Sequence, residues 1–110
     1  MRSPLAAFAA ALTLLAWTSG VGAETVFVKY RGTVDLAPFR CATPSSSFVH
    51  RVCFRAERQY LVVLLGNTYY HYCRMPSAVV QRWLASPSQG RFYNATIKGN
   101  YDCRLGGVPE

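Results

Sequence analysis

The chain is poor in acids. Five aspartates and glutamates stand against twelve lysines and arginines in 110 residues, giving a net charge of +7. The acids are Glu24, Asp35, Glu57, Asp102 and Glu110. No two of them are spaced to suggest a paired general acid and base. Histidine is as scarce: His50 and His71 are the only two, and neither has an evident partner for proton transfer. No serine stands in a nucleophile-elbow context, and there is no C-x-x-C pair. The sequence thus gives no case for a hydrolase, a thiol enzyme or a bound cofactor, and the expectation is a protein that is not an enzyme. Zinc is disfavoured too, because intervals of 11, 19 and 29 residues separate the four cysteines, unlike the close pairs of zinc motifs. Repeats and low-complexity tracts are absent, and beyond the first 23 residues no apolar run is long enough to span a bilayer.

What is present begins with an amino-terminal leader. Arg2 precedes an apolar run from Leu5 to Trp17, and Val21-Gly22-Ala23 is a small-residue ending suited to signal peptidase. This predicts a signal peptide over 1–23, cleavage before Glu24, and a periplasmic or secreted product with no stable membrane insertion after cleavage. Loss of Arg2 with the leader leaves 87 residues and lowers the net charge from +7 to +6. Such a short chain buries only about 60–65% of its unfolded surface and benefits from a staple. Cys41, Cys53, Cys73 and Cys103 can supply two disulfides, each typically contributing about 2–4 kcal/mol.

The mature chain, 24–110, reads as one domain. Thr25–Tyr30 is rich in β-branched and aromatic residues and predicts a strand ended by Gly32. Val34–Arg40 reads as an extended connection, Ala42–Ser47 as a loop, Phe48–Arg55 as a strand and Ala56–Gln59 as its turn. Tyr60–Leu65 and Thr68–Cys73 flank Gly66-Asn67, a strong hairpin signal. That turn sets a register. Leu61, Val63, Leu65, Tyr70 and Tyr72 share one face, and Tyr60, Val62, Leu64, Tyr69, His71 and Cys73 the other. A helix from Pro76 to about Ala85 follows, with Val79, Val80, Trp83 and Leu84 as its apolar stripe and Pro87 as its stop. Phe92–Ile97 reads as an irregular or one-turn helical segment that returns Phe92 and Ile97 to the core.

Residues 46–101 resemble the KTSC domain family. The resemblance is carried by two strands feeding Tyr70-His71-Tyr72, by Pro76 and a short apolar helix, and most specifically by Ser88-Gln89-Gly90-Arg91-Phe92-Tyr93-Asn94-Ala95-Thr96-Ile97. It implies a compact α+β domain with a small antiparallel sheet. It also implies RNA binding, by the family's association with a lysyl-tRNA synthetase. The signal peptide, the segment bearing Cys41, and the cysteines at 53, 73 and 103 depart from the family's simple form, and an exported protein rarely meets RNA.

The expected fold is therefore α+β: an antiparallel meander of three strands, or four with Thr25–Tyr30, packed with one short helix and stapled by disulfides. Three cysteine pairings exist. In a meander a middle strand separates Cys53 from Cys73, which disfavours that bond. Cys41–Cys53 with Cys73–Cys103 is preferred because each bond ties a terminal extension to a strand; Cys41–Cys73 with Cys53–Cys103 stays open.

For binding, Tyr70 and Tyr72 beside Arg74, Arg91 and Lys98, with Tyr93 near, form a candidate platform for an anionic ligand. Their shared face with Leu61, Val63 and Leu65 favours core packing instead. Arg51, Arg55 and Arg58 form a second, modest basic patch, and Asn94 begins a glycosylation sequon that reads better as a turn residue. The leading expectation is a non-catalytic exported module binding a protein partner or an anionic envelope ligand, with nucleic acid as the alternative.

Overall fold

The computed structural model describes residues 24–105 and 107–109, so the expected leader lies outside the described residues. The architecture is α+β, with a six-stranded mixed sheet in the order β2-β1-β6-β5-β4-β3. The strands are β1 (Thr25–Val28), β2 (Gly32–Asp35), β3 (Arg40–Ala42), β4 (Val49–Arg55), β5 (Tyr60–Leu65) and β6 (Thr68–Tyr72). Two short helices follow, α1 (Ser77–Ala85) and α2 (Gln89–Phe92), the second running into a π-helical turn over Tyr93–Ile97.

The β5–β6 hairpin has the register expected from the sequence, with Leu65 opposite Thr68 and Leu61 opposite Tyr72. Gly66 takes φ +59° at the first turn position, the conformation for which this hairpin type selects glycine. The rest of the sheet corrects the three-to-four-strand meander. Gly32, at φ +100°, does not end a strand; it opens β2, which folds back on β1. Part of the supposed connection after it is β3, only three residues long and paired to β4. The sheet is also not wholly antiparallel, because β1 lies parallel to β6 through the pair Val28–Tyr69.

A register shift in β4 between Val49 and Arg51 makes His50 an extra residue, and His50 Nδ1 donates to the Gly66 carbonyl at 2.9 Å. The bulge explains why Val49 and Val52, three apart, both reach the helix-covered core despite the two-residue period of a strand.

Two apolar clusters follow, one on each face. The first joins Val49, Val52, Leu61, Val63 and Leu65 to Val79, Val80 and Trp83 of α1 and to Tyr93 and Ile97. The second gathers Val28, Val34 and Leu36 over Cys53, Tyr60, Val62, Cys73 and Cys103, so the opposite face is covered by the N-terminal hairpin and by the segment carrying Cys103. Leu84, expected in the stripe of α1, is 38% exposed, and Phe92 is only partly buried. Leu84 directly follows Trp83, and a 100° step per residue turns it off the face that the indole fills. The disulfides join Cys41 to Cys53, directly opposite each other on β3 and β4, and Cys73 to Cys103.

Candidate functional site

A groove of about 460 Å3 opens beside the outer edge of β6, where β1 leaves the sheet. Tyr30, Tyr70, His71, Tyr72, Asp102 and Arg104 line it. The sequence builds it by local reversals. After Val28 the Arg31 N–H donates to the Val28 carbonyl at 3.0 Å, and Tyr30 sits in the left-handed region at φ 71°, with 82% of its surface exposed. The opposite wall is the chain around 99–104. It is held by the Cys73–Cys103 bond and by the Cys73 N–H, which donates to the Tyr101 carbonyl at 2.8 Å.

Among the described residues four non-glycine residues have positive φ, and three of them, Tyr30, Arg74 and Tyr101, sit in or beside this groove. Each costs about 1–2 kcal/mol relative to ordinary backbone, so the surrounding fold must hold these turns in place.

The rim is basic. The Lys29 ammonium lies 5.4 Å from the Tyr30 ring centre and 5.8 Å from that of Tyr70. Arg74 donates to the Asp102 carbonyl at 2.8 Å, and Arg104 grips the Asp102 carboxylate at 2.6 Å. Hydrogen bonds from the Arg104 side chain and backbone hold the Asp102 carboxyl at about 2, below its ordinary 3.8. Inside, His71 Nδ1 meets the buried Tyr60 hydroxyl at 2.8 Å. A neutral ring accepting there satisfies the phenol and leaves Nε2–H as a donor open to solvent. Burial, and then the charge of Arg31, push the His71 pKa below its ordinary 6.5. Burial raises that of Tyr60.

Neutral His71 is therefore the form the fold prefers. As pH falls, the unfolded chain takes up the proton first, so stability is complete above 6.5 and is lost as pH drops toward the folded pKa. Urea midpoints measured from about pH 7 down to about pH 5 are expected to fall, and His71→Gln is expected to remove that component.

The structure places the sequence-predicted residues unevenly. Tyr70 and Tyr72 line the groove and also pack against the helix-covered core. The Tyr72 ring meets Tyr93 edge-on at 6.1 Å, and their hydroxyls lie 2.5 Å apart. Burial and that hydrogen bond raise the Tyr72 pKa. Tyr93 is buried at 7% exposure beneath Trp83 and Phe48 and does not line the groove. Arg91 and Lys98 are exposed on α2 and after the π turn, outside the groove lining.

The Arg51–Arg55–Arg58 patch is largely neutralised. Arg51 donates twice to the Glu24 carboxylate, at 2.5 and 2.9 Å, and Arg55 pairs with Glu57 at 2.8 Å. Sequence reasoning missed Lys29, Tyr30, Asp102 and Arg104. Only the preference for Cys73–Cys103 carried a signal, since that bond brings 102–104 beside Tyr72.

A hairpin-centred sheet covered by a short helix and a π turn, with no helix among the described residues long and apolar enough to cross a membrane, defines a small α+β domain. The chain belongs to the KTSC domain family, which matches residues 45–101. It is also similar to the crystal structure of a KTSC domain protein from Yersinia pestis, with a TM-score of 0.56 at 23% identity. That likeness covers 58% of this chain and 92% of the other. No curated protein matches the chain. The family match spans β4 to the π turn, whereas Lys29, Tyr30, Asp102 and Arg104 lie outside it. The groove thus forms at the seam between the family domain and the segments flanking it.

Proposed function

We propose that the chain is a non-catalytic, exported binding module that holds an anionic partner in the groove at this seam. One observation carries the reading: Tyr30, an 82% exposed aromatic residue held in the left-handed region, stands with Lys29 against Tyr70 at the mouth of a cleft. A tyrosine left in solvent in an unfavourable backbone conformation contributes little to folding, and aromatic faces beside cations suit ligand contact. The ionisable groups inside support binding over chemistry. Tyr60 occupies one nitrogen of His71, and Arg104 neutralises Asp102, so neither is poised as a free acid or base. Pairing of all four cysteines agrees with folding in an oxidising periplasmic or extracellular space.

The test compares the mature protein with Tyr30→Asn, Lys29→Ala and Arg82→Ala variants. Asparagine tolerates left-handed backbone, so the first change removes the ring and keeps the turn. The probes are labelled polyglutamate, a uronic-acid oligosaccharide and single-stranded oligouridine. At least one is expected to bind with affinity that falls as salt rises, and the Tyr30 and Lys29 changes are expected to weaken it about tenfold. Arg82→Ala, on the exposed side of α1, is the control and should leave binding unchanged. Equal affinity in Tyr30→Asn would overturn the groove as the site, and tightest binding of oligouridine would favour the nucleic-acid reading.

A further inference from the structure

The outer edge of β6 narrows the class of partner. Along a strand the N–H and C=O of one residue point to the same side, and successive residues alternate. The Tyr69 carbonyl accepts from the Lys29 N–H at 2.9 Å, and the Cys73 N–H donates to the Tyr101 carbonyl at 2.8 Å. Tyr69, His71 and Cys73 therefore turn their backbone groups outward, while Thr68, Tyr70 and Tyr72 bond to β5 across the hairpin. Position 69 is paired by β1, and position 73 by the segment tied down at Cys103. His71, between them, has no backbone partner among the described residues.

The interruption is built by turns. At Tyr30 the chain reverses into β2, so β1 stops just before it would pair with His71. At Tyr101, φ 57°, the other wall turns as well. What remains is a window about 13 Å long from Tyr69 to Cys73, at the foot of the groove.

Resting on the anionic-partner reading above, we propose that the partner is an extended acidic peptide segment. It fills this window as a short added strand, exchanging backbone hydrogen bonds with His71. Strand addition needs one donor and one acceptor on an open edge, which His71 supplies. Alternate side chains of such a segment pass Tyr30 and Tyr70 on one side, and Lys29 and Arg74 on the rim select glutamate or aspartate, the charge of Arg104 being matched by Asp102. A sugar or nucleotide chain offers the same charge but no alternating N–H and C=O with which to complete the edge.

The experiment is amide hydrogen exchange on the mature, oxidised protein. The probe is a pool of acetylated and amidated pentapeptides with glutamate or aspartate at two alternate positions; a matching pool is N-methylated at alternate amides, and the uronic-acid oligosaccharide serves as a non-peptide anion. Free protein is expected to exchange the His71 N–H far faster than the N–H groups of β5. The acidic pool is expected to slow it about tenfold or more, and the N-methylated pool to bind at least about tenfold more weakly. Two results overturn the proposal. In one, peptides or oligosaccharide perturb Tyr30 and Tyr70 but leave His71 exchange unchanged, and the anionic groove survives without strand addition. In the other, neither peptide pool binds while a non-peptide anion does.

Discussion

Replacing Cys73 and Cys103 together by alanine is expected to cost the mature domain about 3.7 kcal/mol and to abolish ligand binding in the groove, the larger loss of the two disulfide deletions. The separation of 30 residues sets the scale, because a longer loop confines the unfolded chain more. By the same relation the bond over 12 residues, Cys41–Cys53, contributes about 2.9 kcal/mol. Burial widens the gap. Cys73 and Cys103 are both buried in the second apolar cluster, whereas the other bond buries only Cys53 there and leaves Cys41 in the open on edge strand β3.

The functional consequence follows from connectivity. The wall bearing Asp102 and Arg104 is held to β6 by this bond and by the Cys73–Tyr101 hydrogen bond, which depends on the same anchoring. Urea unfolding of the two double variants, read beside binding of the acidic peptide pool, checks both halves. A costlier loss from Cys41→Ala, Cys53→Ala, or retained binding without the Cys73–Cys103 bond, contradicts the account.

Much of the framework was legible because it is local. Gly66-Asn67 between two apolar runs has few alternatives, and a two-residue turn fixes every pair in the hairpin once the closing pair is set. Pro76, the stripe through Trp83 and Pro87 likewise bound α1 from within ten or so residues. The disulfide pairing found in the structure is the one the sequence favours, because each bond ties a terminal extension to a strand; that Cys41 lies directly opposite Cys53 on a paired strand was not legible.

What was not legible depends on long-range placement or on one-residue events. A three-residue strand such as β3 carries no periodicity to detect, and β2 was obscured by a glycine read as a terminator. The bulge at His50 reverses the facing of everything before it in β4 with no signal beyond an awkward valine spacing. The groove was the least accessible of all, because Tyr30, Tyr70 and Asp102 meet only through a parallel pairing of β1 with β6 and a disulfide thirty residues long. Tyr72 shows why core and site look like rivals from sequence: the same residue meets Tyr93 in the core and lines the cleft.

That coupling makes the helix layer part of the site, and its keystone is Trp83. Trp83→Ala is expected to cost about 3–5 kcal/mol from the lost side chain and its cavity. The indole is fully buried, stacks on Phe92 at 6.4 Å and lies 6.2 Å from Tyr93. It also has a polar duty: Nε1–H donates to the Gln89 carbonyl at 2.9 Å. The Gln89 amide in turn donates to the carbonyls of Trp83, Leu84 and Ser86, closing the end of α1. The Gln89 carbonyl also accepts from the Tyr93 N–H, so losing the indole removes one of its two hydrogen bonds, a further penalty of about 0.5–1.5 kcal/mol that overlaps the first. Small domains hold about 5 kcal/mol or little more, so the alanine variant is expected to be largely unfolded.

Trp83→Phe separates the contributions, since it keeps most of the apolar volume and removes only the N–H donor. It is expected to stay folded where the alanine variant does not, with a urea midpoint below that of the parent, followed by far-ultraviolet circular dichroism because Trp83 is the one tryptophan after residue 23. A phenylalanine variant as unstable as the alanine one would mean that the link to Gln89, and not the packing against Phe92 and Tyr93, holds the helix layer on the sheet and keeps Tyr72 at the groove.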